Sequence, residues 1–279
     1  MDKNITNKLE CMFVQGDCSK SIENGDAFVE SGSDKKYTDN KLTMANLINK
    51  SIFGQVIKDD IPRSMEGVIH IYEKGREGFH IGSSQFAMHY FFKSENTVQQ
   101  FIDNLKYTIR VGGFFIGTCY NGKRVLDLLL NKPEFHYRTN NNISIKLNMA
   151  EGEGEEETGE YEEQKKRITD QFEKKIGGVS IIVQESGFKG QEEYLVNFDL
   201  FNEKMMNNGF RIKQAKTFQD VYNASNGKNQ NSKGIMNDEE ERVISFLNDQ
   251  FIYEHVGNNM GGSSIPFETV PMPTDTSTT

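Results

Sequence analysis

The sequence has no tryptophan, only five prolines and only three cysteines in 279 residues. Cys11, Cys18 and Cys119 are unevenly spaced and the five histidines are widely scattered, so no C-x-x-C or H-x-x-x-H pattern exists. Neither a disulfide framework nor a bound metal is expected. Long apolar runs are missing as well. Nothing approaches the roughly 18 residues that a membrane helix needs, and Met1 to Glu10 is polar and mixed in charge, without the apolar centre of a signal peptide. A soluble intracellular protein with no membrane contact is expected. An excess of basic residues is also lacking, the formal net charge being −9. That balance argues against a nucleic-acid partner until its source is located: Glu151 to Gln164 (EGEGEEETGEYEEQ) holds eight glutamates and no lysine or arginine. Without this stretch the chain is close to neutral, which leaves room for a local basic face.

What is there suits an enzyme-sized domain. Hydrophobic residues make up 35% and aromatic ones 11%, enough to bury one sizeable core. Residues 1–256 are read as that domain, interrupted by the acidic stretch 151–164 as a solvated, flexible insertion. From Gly257 the composition turns to Gly, Ser, Thr and Pro, with three of the five prolines, so residues 257–279 are read as a disordered tail.

Periodicity predicts an alternation of elements. Glu10 to Val14 (ECMFV) reads as a buried strand stopping at Gly16-Asp17, and Asp34 to Asn49 as a helix. Gly67 to Tyr72 (GVIHIY) and Gly78 to Ser83 (GFHIGS) read as extended segments around a turn at Lys74-Gly75. Val98, Phe101, Ile102, Leu105 and Ile109 share one helical face, and Gly112-Gly113 is expected to end that helix before the apolar run Phe114 to Thr118. Asn121 to Asn131 reads as a helix, Ile143 to Leu147 and Val179 to Gln184 as strands, and Tyr194 to Asn208 as a strand end running into a helix. Late strands are expected within Ile212 to Ala215 and Phe246 to His255. The class is α/β, with ligands at the carboxyl edge of the sheet.

Three segments carry more than periodicity: GFHIGSSQFAMHYFFKSE (78–95), VGGFFIGTCYNG (111–122) and EEYLVNFDLFNEKMMNNGF (192–210). In order and content they resemble the eukaryotic and viral mRNA cap guanine-N7 methyltransferases, most closely those in the capping enzymes of large DNA viruses. The resemblance covers roughly Phe13 to Tyr253 and is weakest through the acidic stretch. It implies a Rossmann-like sheet binding S-adenosylmethionine as methyl donor and the 5′ end of GpppN-capped mRNA as acceptor. FVQGDCSKSI (13–22) is similar to the family's strand ending beside the donor's adenine.

Carried over residue by residue, the resemblance implies that Asp17 and Cys18 lie by the adenine, that Gln85 sits near the donor's methionine end, and that Tyr90 borders both ligands. Phe86 and His89 face the cap guanine, and Glu193 accepts from its N1–H and exocyclic amine. The last role has independent sense: an ionised carboxylate only accepts, and the Watson–Crick edge of guanine presents two adjacent donors. Taken alone, Phe86 and Tyr90 would be core residues, His89 a structural histidine, Glu192-Glu193 a solvated pair, and Asp17 the carboxylate of an Asx turn. The order of the motifs is what gives the functional reading. Lys123 and Arg124 are candidates for phosphate contact.

The sequence departs from the family in three places. Tyr120 stands where a proline is usual after G-T-x, and a late aromatic near the cap could be Phe246, Phe251 or Tyr253. Nothing before Asp17 supplies the glycine-rich D-x-x-x-G-x-G strand or the acid that holds the ribose. The implied sheet therefore lacks its first strands, as in a piece of a longer capping enzyme or a chain completed by another. Guanine N7 has a free lone pair at neutral pH, so no general base is needed and catalysis rests on in-line placement, stacking and electrostatics. Two other readings stand beside this one: an inactive cap-binding or regulatory subunit that kept the acceptor pocket, and a small-molecule methyltransferase of similar fold. The implied place of action is the nucleus in a cell, or the cytoplasm, viral factory or virion for a virus.

Overall fold

A computed structural model describes residues 11–28, 36, 42–140, 143–149, 158–184, 190–226 and 239–257. The chain divides into two units, Met1–Glu77 and Gly78–Thr279, each described by itself. Residues 151–157 and 258–279, on which much of the readings of a flexible insertion and a tail falls, lie outside the described residues. No helix among the described residues is long and apolar enough to cross a membrane.

In the first unit, helix α1 (Met44–Ile52) starts at Thr43, whose hydroxyl accepts from the Asn46 N–H at 3.3 Å. Its Leu47 and Ile48 pack against Ile61 and against Val68 of a short second helix, α2 (Glu66–Ile71). Two expectations are corrected here. GVIHIY is helical, not extended: its β-branched residues favour strands only where a pleated neighbour exists, and the neighbour here is α1. Of ECMFV, the described residues 11–14 form no strand, and Phe13 is 90% exposed.

The second unit begins with strand β1 (Phe79–Gln85). Helix α3 (Glu95–Thr108) follows, opened by a reciprocal cap between Ser94 and Thr97. Val98, Phe101, Ile102 and Leu105 of α3 are buried as the periodicity predicts. The helix ends at Thr108, and Ile109 already begins strand β2 (Ile109–Tyr120). The glycine pair is thus inside the strand, not at the helix end. Gly113 is there because a Cβ would lie 2.8 Å from Ile109 and 3.0 Å from the His80 carbonyl, and Gly112 takes a φ of 80°.

Next come helix α4 (Gly122–Leu130), the short strands β3 (His136–Arg138) and β4 (Ser144–Leu147), helix α5 (Thr158–Lys174), and strands β5 (Ser180–Gln184) and β6 (Gln191–Tyr194). The unit closes with helix α6 (Phe198–Asn207), strand β7 (Phe210–Thr217), helices α7 (Phe218–Asn226) and α8 (Glu239–Phe246), and strand β8 (Asn248–His255). Residues 158–164 of the acidic stretch belong to α5, which corrects the reading of the whole stretch as a flexible insertion. Glutamate, glutamine and lysine are good helix formers. Tyr161 also anchors the turn by stacking on Phe135 at 4.6 Å and donating to the Lys132 carbonyl at 3.0 Å.

The α/β class is borne out. One sheet runs β1-β2-β8-β7, with β1 and β2 parallel and the rest antiparallel; the second, β3-β4-β5-β6, is wholly antiparallel. Helices α3 and α6 bury Phe115, Phe251 and Tyr253 of the first sheet, while α4 and α5 bury Ile145, Leu147 and Ile181 of the second. Among the described residues no strand is paired to the outer side of β1. Its residues (FHIGSSQ) include no lysine, arginine or carboxylate, and Phe79 and Ile81 are exposed. Because β8 and β7 are antiparallel to their neighbours, one edge of this sheet gathers Gln85, Thr118, Thr217 and Asp249.

Candidate functional site

At that edge the chain turns sharply. Phe86 takes a φ of 52°, a left-handed conformation uncommon for a bulky residue, and donates its N–H to the Thr118 carbonyl at 2.9 Å. Its ring is 53% exposed and meets Phe218 edge-on at 6.0 Å. Gln85, just before it, is held from two sides. Thr118 Oγ1 donates to its Oε1 at 2.9 Å, and its Nε2 donates to Ser83 Oγ at 3.0 Å.

The turn Met88–Lys93 then sends Met88 and Phe92 into the core. His89 and Tyr90 lie side by side, ring centroids 4.1 Å apart. His89 is 4% exposed and its Nε2 is 3.6 Å from Glu193 Oε2 on β6. That is too long for a hydrogen bond, and neither ring nitrogen makes one. Burial lowers the His89 pKa to about 4, so the ring is neutral at pH 7 and the contact is no ion pair. The Tyr90 hydroxyl donates to Gln191 Oε1 at 3.3 Å; burial, then the Glu193 charge, raises its pKa and keeps it protonated.

Glu193 is 13% exposed, while adjacent Glu192 points the other way. Glu192 Oε1 accepts from Ser180 Oγ and Asn148 Nδ2, each at 2.8 Å, and its Oε2 from the Tyr194 hydroxyl at 3.2 Å. The Ser180 bond is the main reason its pKa is lowered. Cys119 is fully buried, and burial, then Glu193, raises its pKa, so it is an inert thiol.

Other sequence readings fare differently. Arg124 is not available to a phosphate: it pairs with buried Asp249 and donates to the Phe246 carbonyl at 2.8 Å. Asn121 caps α4 by accepting from the N–H groups of Lys123 and Arg124, and gives its amide to Asp249 at 2.7 Å. Of the late aromatics, Phe251 and Tyr253 are buried in the core; Phe246 is half-buried against Tyr222 at 5.5 Å. In the first unit, Asp17 forms the Asx turn, its Oδ1 accepting from Ser19 N–H at 3.0 Å and Ser19 Oγ at 2.6 Å. The Ser19 hydroxyl bond lowers its pKa. Cys18 beside it is half-buried, with a pKa raised by burial and then by Asp17.

The structure thus brings His89, Tyr90 and Glu193 together, with Gln85 and Phe86 at the strand end that precedes them, all within the second unit. Thr118, Gln191 and Phe218 also belong there and were missed. Thr118 alone had a signal, an alternate position beside the recognised glycines in GGFFIGTC.

The family model described as the mRNA (guanine-N(7))-methyltransferase domain matches residues 63–245. Among curated proteins, the chain is 27% identical over 141 residues to the mRNA cap guanine-N(7) methyltransferase of Meyerozyma guilliermondii, covering 50% of this chain and 22% of that protein. It is 33% identical over 85 residues to the enzyme of the same name from Caenorhabditis briggsae, covering 30% and 21%. These matches span only about a fifth of the length of either relative. An S-adenosylmethionine-dependent methyltransferase from Clostridium acetobutylicum superposes with a TM-score of 0.34 at 10% identity, covering 65% of this chain and 60% of that one, a likeness too low to bear on the fold.

Proposed function

The chain belongs to the mRNA (guanine-N7)-methyltransferase family, and from that premise we propose that it holds the guanine of GpppN-capped mRNA for methylation at N7 by S-adenosylmethionine. The observation that carries this reading is the pairing of buried His89, with no hydrogen bond at either nitrogen, and Glu193 3.6 Å away. A buried polar side chain without a partner is costly, on the order of 1–3 kcal/mol, and calls for a ligand to satisfy it. Guanine does so: its N1–H and amine donate to Glu193, and His89, neutral with one donor and one acceptor nitrogen, serves a further atom of the base. The exposed face of Phe86 offers a stacking surface.

The electrostatics support the same direction of reaction. N7 methylation turns a neutral base into a cation. His89 is neutral and Tyr90 protonated, so neither cancels the Glu193 carboxylate, which favours positive charge on a ring facing it. No residue is asked to move a proton.

The donor supplies an electrophilic methyl on sulfonium. Gln85, with a second amide hydrogen to give, and Tyr90 fit the polar methionine end. The outer side of β1 suits a further glycine-rich strand from another capping-enzyme domain or a complementary chain. The site of action follows transcription: nucleus, cytoplasmic viral factory or virion. The test is methyl transfer from labelled S-adenosylmethionine to GpppA-capped RNA, with binding of GpppA measured alongside. Cap-dependent transfer, or GpppA binding that Glu193→Ala abolishes, is expected; GpppA binding indifferent to Glu193→Ala would overturn the reading.

A further inference from the structure

We infer that Thr118 is a positioning residue that sets the spacing between donor and acceptor sides of the site; this rests on the donor-side reading of Gln85. One residue makes two contacts of different kinds. Through its carbonyl, Thr118 takes the Phe86 N–H at 2.9 Å and fixes the left-handed turn that presents the aromatic ring. Through its hydroxyl, it holds the Gln85 amide at 2.9 Å. Gln85 and Phe86 are consecutive, so Thr118 anchors the point where the chain passes from one ligand's side to the other.

The topology makes it a firm anchor. Gln85 ends an edge strand, whereas Thr118 is paired on both sides, to Gln85 on β1 and to Gln250 on β8. The preceding Gly117 lets the strands close up, since a Cβ there would come within 2.5 Å of the Ser84 carbonyl and of the Phe251 ring. A free glutamine side chain samples many rotamers, and binding a ligand with it ordinarily costs that freedom. Held beforehand by Thr118 and Ser83, Gln85 meets the donor already ordered. In-line transfer tolerates little error in the distance between the reacting atoms.

The two contacts can be separated. Thr118→Val keeps the carbonyl and the β-branched shape but removes the hydroxyl, whereas Thr118→Ser keeps the carbonyl and the hydroxyl. Calorimetry with S-adenosylhomocysteine and, separately, with GpppA reads each side. Thr118→Val is expected to weaken S-adenosylhomocysteine by about fivefold, the size of one lost hydrogen bond, with GpppA affinity unchanged and Thr118→Ser close to the parent. Equal S-adenosylhomocysteine affinity in parent and Thr118→Val overturns the inference alone, as does a parallel loss of both ligands, which marks a structural role. A parent chain that binds GpppA but not S-adenosylhomocysteine overturns the donor reading of Gln85, and the inference with it.

Discussion

The two faces of β6 carry adjacent carboxylates with opposite fates. Glu192 is exposed and fully engaged by Ser180, Asn148 and Tyr194. Glu193 is turned inward, beside a histidine that offers it no hydrogen bond. A strand alternates its side chains, so one residue of register decides which acid faces solvent and which is turned inward, towards the proposed guanine site. Glu192 is held by three side-chain hydrogen bonds, whereas the buried histidine beside Glu193 is left unsatisfied, which is the ground for proposing Glu193 as the ligand-binding acid.

The comparison can be broken in several ways. Glu193→Ala should weaken GpppA binding by about a hundredfold, since two hydrogen bonds to an ionised group are lost; titration of intrinsic tyrosine fluorescence or calorimetry would show it. The second effect is on pH. His89 takes up a proton near 6.5 when unfolded but near 4 when folded, because burial disfavours its charged form. The stability it contributes is full above about pH 6.5 and lost as pH falls towards 4, on the order of 3 kcal/mol. Urea midpoints should drop through that window in the parent and stay flatter in His89→Gln. Glu192, whose pKa is lowered, loses its contribution only below its unfolded value of 4.5, so the two faces separate along the pH axis.

Smaller effects sharpen the contrast. Phe86→Ala should cost about tenfold in GpppA affinity, the scale of one base stacked on an aromatic ring, with S-adenosylhomocysteine affinity little changed. Glu192→Gln should change GpppA affinity by less than about twofold while lowering stability by about 0.5–1 kcal/mol, measured by denaturant unfolding. If Glu192→Gln hurt binding as much as Glu193→Ala, the division between the two faces would be wrong.

Much of this was legible because motif order and periodicity agree. The five residues proposed to meet the guanine and the donor lie in segments whose spacing the sequence shows, and the α3 face is a plain 3.6-residue stripe. What was not legible depends on partners far along the chain. Arg124 looks free in NGKRVLD, and only the return of β8 brings Asp249 to it, 125 residues away. The helical state of GVIHIY is set by α1, and the burial of Phe251 and Tyr253 by their register on β2. The glycine pair of β2 reads as a stop because glycine usually is one, whereas here Gly113 serves close strand approach and Gly112 a positive φ.

The two edges of the first sheet differ in a way that governs handling of the protein. β7 carries Arg211, Lys213 and Lys216, charged side chains of the kind that guard a sheet edge, the first two paired with Glu254 of β8. β1 carries no such charges, and among the described residues no strand pairs with its outer side beside Phe79 and Ile81. Concentrated solutions of this chain will therefore first meet their own kind along β1, and solubility will be won by a lysine placed at Ser83 or Ile81 sooner than by any change to the core.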